Sequence, residues 1–467
     1  MTVDLKKKYI IEAYDMTING DGIARLPESD ESGKLAFCPN LLPGEIAQVS
    51  IDAERKNYVH VSILQYIKKS DIRKFVKCEG FGSCGGCALL HISYEKQLEL
   101  KKKHVADCLI RIGKFDEADI SSLVRPVLGM ENPYFYRNHV QYQVENIDDK
   151  CCLGFYEKKT NKLIVHERCF LVPEICHKIR ITFPVFIAEN KILCQNMKTR
   201  QNSIKRLTVR VGFHTGDVML IIEGGENLHF SAEEYVKFVQ QVIREDKKLF
   251  AENWKIKSIW KKQDGKKTEY KHLWGEKYIE EVMGEKIYMI SPSSFFQVNS
   301  QQTLVLYNQI KSFVEQSMQE SWNGKLIDLY CGTGTIGLHL SDIVPRILGI
   351  EINAEAISDA WQNACRNDIE NCEYIQGKAE NVSFQIDSDD IVILDPPRKG
   401  CDKRLLELLS KSMSGSIVYI SCDPATLARD LRILADGGFG IKAIQPVDMF
   451  PWTGHVECVV LMSRKDG

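Results

Sequence analysis

The chain is 467 residues long, 44% hydrophobic and 27% charged, with a formal net charge of −2. That length suits roughly two to four domains with large cores, and the near-neutral balance excludes a global field for holding a polyanion, leaving local basic patches. No run is long and apolar enough to span a bilayer, and Met1-Thr2-Val3-Asp4 followed by Lys6-Lys7-Lys8 has no apolar secretory region; sixteen cysteines without a signal then point to a reducing cytoplasm, where clustered Cys bind metal more often than they form disulfides.

Residues 1 to about 67 read as short strands broken by turns. Asn19-Gly20-Asp21-Gly22 is a strong turn signal, and Leu35 to Cys38, Glu45 to Ile51 and Tyr58 to Tyr66 are strand-like runs. A small β-barrel is the economical fold. With Gly22-Ile23-Ala24 and Leu42-Pro43-Gly44-Glu45, the segment resembles a TRAM domain, an RNA-binding barrel. A basic run follows, Lys68, Lys69, Arg73, Lys74 and Lys77, which is either a solvated face or a phosphate contact.

Next comes Cys78-x5-Cys84-Gly85-Gly86-Cys87. Three thiols in ten residues can turn tightly around one metal centre, and thiolates are soft ligands for zinc or iron–sulfur. Spacing leaves the two open. His91 is a candidate fourth ligand for zinc, and Cys169 is another candidate.

Residues 97 to 112 read as a helix with Lys101-Lys102-Lys103 exposed. Tyr134-Phe135-Tyr136-Arg137-Asn138 suits base stacking and phosphate contact, or equally a strand edge. From Val140 to roughly Tyr288 the runs, including Leu207 to Gly212 and Val218 to Glu223, suggest an α+β domain. Lys255 to Lys271 carries seven lysines against two acids and reads as a solvated hairpin.

From Leu326 the pattern becomes strand–helix alternation, the mark of a parallel, doubly wound sheet. Gly332, Gly334 and Gly337 form G-x-G-x-x-G between a strand ending at Tyr330 and a helix over Thr335 to Ile343. The next strand ends in Glu351, placed to accept from ribose hydroxyls. Asp328, close before the glycines, suits a cationic ligand without phosphates, which favours S-adenosylmethionine over NAD. Ile391 to Leu394 delivers Asp395 and a Pro396-Pro397 turn followed by Arg398. Ser416 to Ile420 is a buried strand ending at Cys422, a packing thiol or a nucleophile. Val447 to Glu457 puts an acid at the start of the apolar strand Cys458 to Met462.

Asp395 to Gly400 with Ser421-Cys422, and Asp448 to Glu457, match the two signatures D-P-P-R-x-G with Ser-Cys-Asn and D-x-F-P-x-[ST]-x-H-x-E. On these residues the chain resembles the RNA uracil-5-methyltransferase family over its full length. The barrel with Cys78, Cys84, Cys87 and Cys169 resembles the branch acting on 23S ribosomal RNA, which carries a four-iron, four-sulfur cluster. Ser293 to Asn299 matches the family's cofactor-side motif.

The resemblance implies an α/β fold, with a C-terminal Rossmann-like class I methyltransferase domain (97–130 and 286–467), an N-terminal TRAM/OB-like barrel (1–67) and a central α+β iron–sulfur domain (68–96 and 131–285). It implies Cys422 as nucleophile and Glu457 as base. Gln297, Tyr330, Gly332, Gly334, Glu351 and Asp395 would hold S-adenosylmethionine, and Cys78, Cys84, Cys87 and Cys169 the cluster. The expected partner is RNA, with no membrane, no obligate protein partner and a cytoplasmic monomer. A tRNA enzyme, a radical iron–sulfur enzyme and a non-catalytic RNA-binding protein are the alternatives. Two departures stand out: Asp423 where the family has Asn, expected to raise the neighbouring thiol's pKa, and Trp452 where Gln, His or Tyr is usual.

Overall fold

The structure, a computed structural model, describes residues 8–27, 33–158, 160–192, 194, 203–226, 228–263, 268–318, 322–381, 386–412 and 415–464. The Met1–Lys7 start and Lys266 and Lys267 of the lysine-rich hairpin lie outside them.

Near the N-terminus one six-stranded sheet runs in the order Tyr9–Glu12, Ile46–Glu54, Tyr58–Lys68, Leu35–Pro39, Asp21–Arg25, Asp15–Met16. Alternation along these strands turns Ile11, Val49, Val59 and Val61 into a common core. Asn19-Gly20 makes its turn with Gly20 at φ +82°. The basic run that follows is split. Arg73 turns inward, with Nε 2.5 Å from the buried Glu45 carboxylate and its guanidinium over the Tyr66 ring at 5.0 Å. Lys68, Lys69, Lys74 and Lys77 stay exposed, beside Phe75, which is 89% exposed.

The central sheet has seven strands, in the order Glu269–Gly275, Lys255–Gln263, Asp217–Gly224, Ile204–Val211, His139–Ile147, Lys150–Tyr156, Leu163–Ile164. Helices Glu174–Glu189 and Ala232–Glu245 cover one face. The lysine-rich hairpin forms as expected, but Lys261 is buried and donates to the Glu226 carbonyl at 2.7 Å. Cys151 and Cys194 are disulfide-bonded, with Cα atoms 5.9 Å apart, a linkage that the expected reducing setting did not call for.

The C-terminal sheet runs Cys372–Gln376, Ile347–Glu351, Leu326–Leu329, Ile391–Leu394, Ser416–Ser421, Glu457–Arg464, Phe439–Val447. The first five strands are parallel, and Glu457–Arg464 is antiparallel to both its neighbours. The expected parallel, doubly wound sheet describes those five strands, and the last strand departs from it. A short connection after Val447 can return the chain beside its own strand only as an antiparallel hairpin. The inner strands are buried end to end, as sheets covered on both faces must be.

Helix Tyr94–Arg111, capped by Ser93, packs Val105 and Leu109 into the same core as Leu329, Leu394 and Tyr419. Full burial of each such Leu or Val contributes about 1.5–3 kcal/mol. Lys101 on this helix is 0% exposed, not a surface residue as its lysine neighbours suggest. Among the described residues no helix is long and apolar enough to cross a membrane.

Candidate active site

The carboxyl ends of the parallel strands meet at one edge of the C-terminal sheet, where an open α/β sheet binds ligands. Tyr330, Glu351, Asp395 and Cys422 all stand there. Because Glu457–Arg464 runs the opposite way, its first residue, Glu457, reaches the same edge, beside the end of the strand that delivers Cys422. Ser421 and Cys458 are register partners.

The glycine turn is built for close approach. Gly332 has φ +55°, and a Cβ there would project into open space; Gly334 has φ +75°, and a Cβ there would lie 2.6 Å from the Tyr374 hydroxyl. Glu351 accepts from the Gly332 amide at 3.2 Å and from the Asn353 amide at 2.8 Å, which braces its carboxylate over the turn. The Asp328 carboxylate is buried, and neither oxygen has a full hydrogen bond. Burial, then the charge of Asp395, raises its pKa to about 8 against the Gly337 amide. Burial raises Asp395 to about 7. An unpaired buried acid, Asp328, with Asp395 near it beside an open glycine cradle, fits a ligand carrying a sulfonium and an ammonium, as S-adenosylmethionine does.

Burial, then the charge of Glu457, pushes the Cys422 thiol up to about 11, with Arg398 opposing. Glu457 is 4% exposed; burial, then Asp395, raises it to about 8, again opposed by Arg398. The site thus brings together a thiol, a carboxyl group able to exchange a proton near neutral pH, and one exposed cation.

Asp423 has a use the sequence did not show: burial and Glu457 lead the rise of the thiol, while the Asp423 Oδ1 accepts from the Ala425 and Thr426 amides at 2.9 and 3.0 Å, capping helix Pro424–Asp436. Asn caps a helix as well as Asp does, which accounts for the exchange. Tyr330, at φ +66°, has its hydroxyl near Cys401.

Gln297 lies in a loop whose holders the sequence did not reveal. Arg210 donates to the Ser291 and Ser294 carbonyls at 2.7 and 3.0 Å, and Asn138 donates to the Gln297 carbonyl at 2.8 Å. Both come from the central sheet region, and only the fold brings them near. Trp452, the second departure, has φ +68°. Its indole donates to the Pro133 carbonyl at 2.8 Å and stacks on Tyr134 at 4.9 Å between centroids.

Away from this crevice, Cys78, Cys84, Cys87 and Cys169 line one cavity of about 300 Å³, together with Arg137, Phe155 and His166. Burial pushes the Cys84, Cys87 and Cys169 thiols up. Among the described residues no three His, Cys, Asp or Glu side chains are gathered tightly enough to hold a single metal ion. His91 is not part of the lining; it packs against the Phe81 ring at 5.2 Å, with both ring nitrogens unpartnered. A set of four thiols around one cavity has the donor chemistry of an iron–sulfur cluster or of a four-thiolate zinc site.

Comparison with known proteins matches residues 228–465 to the family described as tRNA (Uracil-5-)-methyltransferase. A Clostridium acetobutylicum protein named an uncharacterized RNA methyltransferase is 36% identical over 99% of this chain and 99% of its own length. One from Halalkalibacterium halodurans, named likewise, is 36% identical over 97% of this chain and 96% of its own. The crystal structure of Pyrococcus abyssi tRNA (uracil-54, C5)-methyltransferase in complex with S-adenosyl-L-homocysteine superposes with a TM-score of 0.74 at 25% identity, covering 98% of this chain and all of that one.

Proposed function

The chain belongs to the tRNA (uracil-5-)-methyltransferase family, and from its site we propose a covalent mechanism acting on a uridine of 23S ribosomal RNA. The enzyme is an S-adenosylmethionine-dependent RNA uracil-5-methyltransferase. One observation carries the mechanism: a strand-end thiol and a buried carboxyl reach one crevice from neighbouring strands, beside a cradle suited to a cationic methyl donor.

Carbon 5 of uracil is a poor nucleophile, so its methylation needs covalent activation. Cys422, once ionised, adds to carbon 6 and places the electron pair on carbon 5, which takes the methyl group. Glu457, as carboxylate, removes the carbon 5 proton. The electron pair of that C–H bond re-forms the carbon 5–carbon 6 double bond, the carbon 6–sulfur bond breaks, and Cys422 leaves as thiolate. Arg398 lowers the pKa of both groups and so favours the two ionised forms that these steps require. S-adenosylmethionine, which would be held by Gly332, Gly334, Glu351, Asp395, Gln297 and Tyr330 near the buried Asp328, would supply the methyl group and leave as S-adenosylhomocysteine. Bringing the base out of its stack costs on the order of a few kcal/mol, which RNA contacts elsewhere must offset.

The N-terminal sheet is read as a TRAM-like RNA-binding barrel, and Cys78, Cys84, Cys87 and Cys169 as ligands of a four-iron, four-sulfur cluster. Their spread around a cavity rather than about a point supports a cluster over a single zinc ion, whose thiolates must stand about 2.3 Å from the metal. The cluster would shape the fold, since methyl transfer moves no electron. Iron and acid-labile sulfide in equal amounts, lost on Cys84→Ser, test that assignment; zinc alone would refute it.

A tRNA substrate is the second reading, favoured by the full-length superposition on an enzyme named for tRNA. Mapping 5-methyluridine in 23S ribosomal RNA and in tRNA, with and without the protein, separates the two. RNA containing 5-fluorouracil tests the mechanism: an adduct that survives denaturation should form with the wild type and vanish in Cys422→Ala. No adduct on an RNA that is methylated as its uracil form would sink the covalent route.

A further inference from the structure

Helix Tyr94–Arg111 holds the foot of the catalytic hairpin through three residues on one face. Lys101 Nζ lies 2.5 Å from Asp448 Oδ1 and donates to the Phe450 carbonyl at 3.1 Å. Tyr94 donates to Asp448 Oδ2 at 2.7 Å and accepts from the Met130 amide at 2.9 Å. Gln97 accepts from the Trp452 amide at 2.7 Å. Positions 94, 97 and 101 share a helix face. Asp448 follows Val447 directly, and Val447 is the register partner of Glu457. Glu457 is the first residue of its strand, and on the side of Cys422 the ladder begins only at the next rung, Ser421 with Cys458. The direction from which the chain enters Glu457 is therefore set by the turn that the helix grips.

Lys101 and Asp448 are both 0% exposed. A buried ion pair is a poor way to gain stability, because desolvation cancels most of the attraction and an apolar pair often does as well. It does select one geometry, since either charge left alone is costly.

We propose that Lys101, with Asp448 and Tyr94, is a positioning residue for Glu457, governing removal of the carbon 5 proton separately from the attack by Cys422. The proposal rests on the reading of Glu457 as base. Loss of the grip leaves Cys422 on its own strand, so adduct formation proceeds. The step that slows is the one in which the carbon 5 proton passes to Glu457, the double bond closes and Cys422 departs.

The test uses the double variant Lys101→Met/Asp448→Asn, which leaves no unpaired buried charge, and Tyr94→Phe, which removes one hydrogen bond and no charge. Full-length protein is assayed on uracil RNA for turnover and trapped adduct, and on 5-fluorouracil RNA for the rate of adduct formation, which needs no proton removal. Glu457→Gln is the reference. The expected result is a turnover drop of tenfold or more in the double variant, with methylated adduct accumulating on uracil RNA. The rate on 5-fluorouracil RNA should stay within about twofold of wild type, and Tyr94→Phe should show the same split more weakly. Parallel loss of both rates, or no change in either, overturns the positioning role. If Glu457→Gln traps adduct while neither other variant does, the positioning inference alone fails; if Glu457→Gln traps none, the reading of Glu457 as base fails and takes the inference with it.

Discussion

Replacing Glu457 by Gln probes the site on two counts, because the residue acts on Cys422 as a charge as well as being the proposed base. Burial first, and then the charge of Glu457, raises the Cys422 thiol to about 11. Removing the carboxylate while keeping the shape should recover some of that shift and never more than all of it. A fall of about one unit is worth about 1.36 kcal/mol and about tenfold more thiolate between pH 8, above which Glu457 is charged, and the midpoint. The assay is iodoacetamide alkylation of Cys422 across pH, read peptide by peptide by mass spectrometry, because other cysteines such as Cys365 are exposed. The midpoint should drop by up to two units while turnover on uracil RNA falls by about 10²–10⁴, the range for loss of a general base. An unchanged or higher midpoint would show that the two side chains do not share the crevice, and the electrostatic account would fail.

Three further outcomes follow from the geometry. Glu457 keeps its proton up to about pH 8 in the folded chain against 4.5 for the free group, so its contribution to stability is complete below pH 4.5 and is lost as pH rises through 8. Thermal melts of the cofactor-free protein should lose stability across that window, and Glu457→Gln should flatten the loss; a melting point that climbs from pH 5 to 8 would contradict the burial argument. Asp423→Asn should leave stability and alkylation of Cys422 nearly unchanged, whereas Asp423→Ala should cost about 1 kcal/mol in denaturant unfolding through loss of the helix cap; equal effects would refute the capping role. Phe75→Ala should weaken RNA binding by about 1–3 kcal/mol if a base stacks on the exposed ring, with binding of S-adenosylmethionine unaffected; unchanged RNA affinity would remove Phe75 from the interface.

Local chemistry was what the sequence could show. The glycine turn, the strand into Asp395 and the strand into Cys422 are legible because apolar runs, turn residues and their order are written in consecutive positions; the expected Ser416–Ile420 differs from the observed Ser416–Ser421 by a single residue. Partners distant in the chain were not legible. Lys101 sits in a run of three lysines and looks like surface, and only Asp448, 347 residues later, makes it a core residue. Arg73 was read with a basic face for the same reason, since Glu45 comes from another strand. The role of Asp423 was missed because a charge was weighed where a hydrogen-bond acceptor was in use. The direction of the last strand depends on which neighbours it inserts between, and periodicity reports only that a strand is buried.

That insertion bears on how the protein is made. Strand Glu457–Arg464 lies between Ser416–Ser421 and Phe439–Val447, both of which leave the ribosome before it. Until it arrives, each of those strands presents an open edge, and the nascent domain has a gap one strand in from its rim. The proposed base, Glu457, is synthesised after the proposed nucleophile, Cys422, and arrives with the strand that closes the gap. On that reading, sheet closure and competence for methyl transfer become a single event.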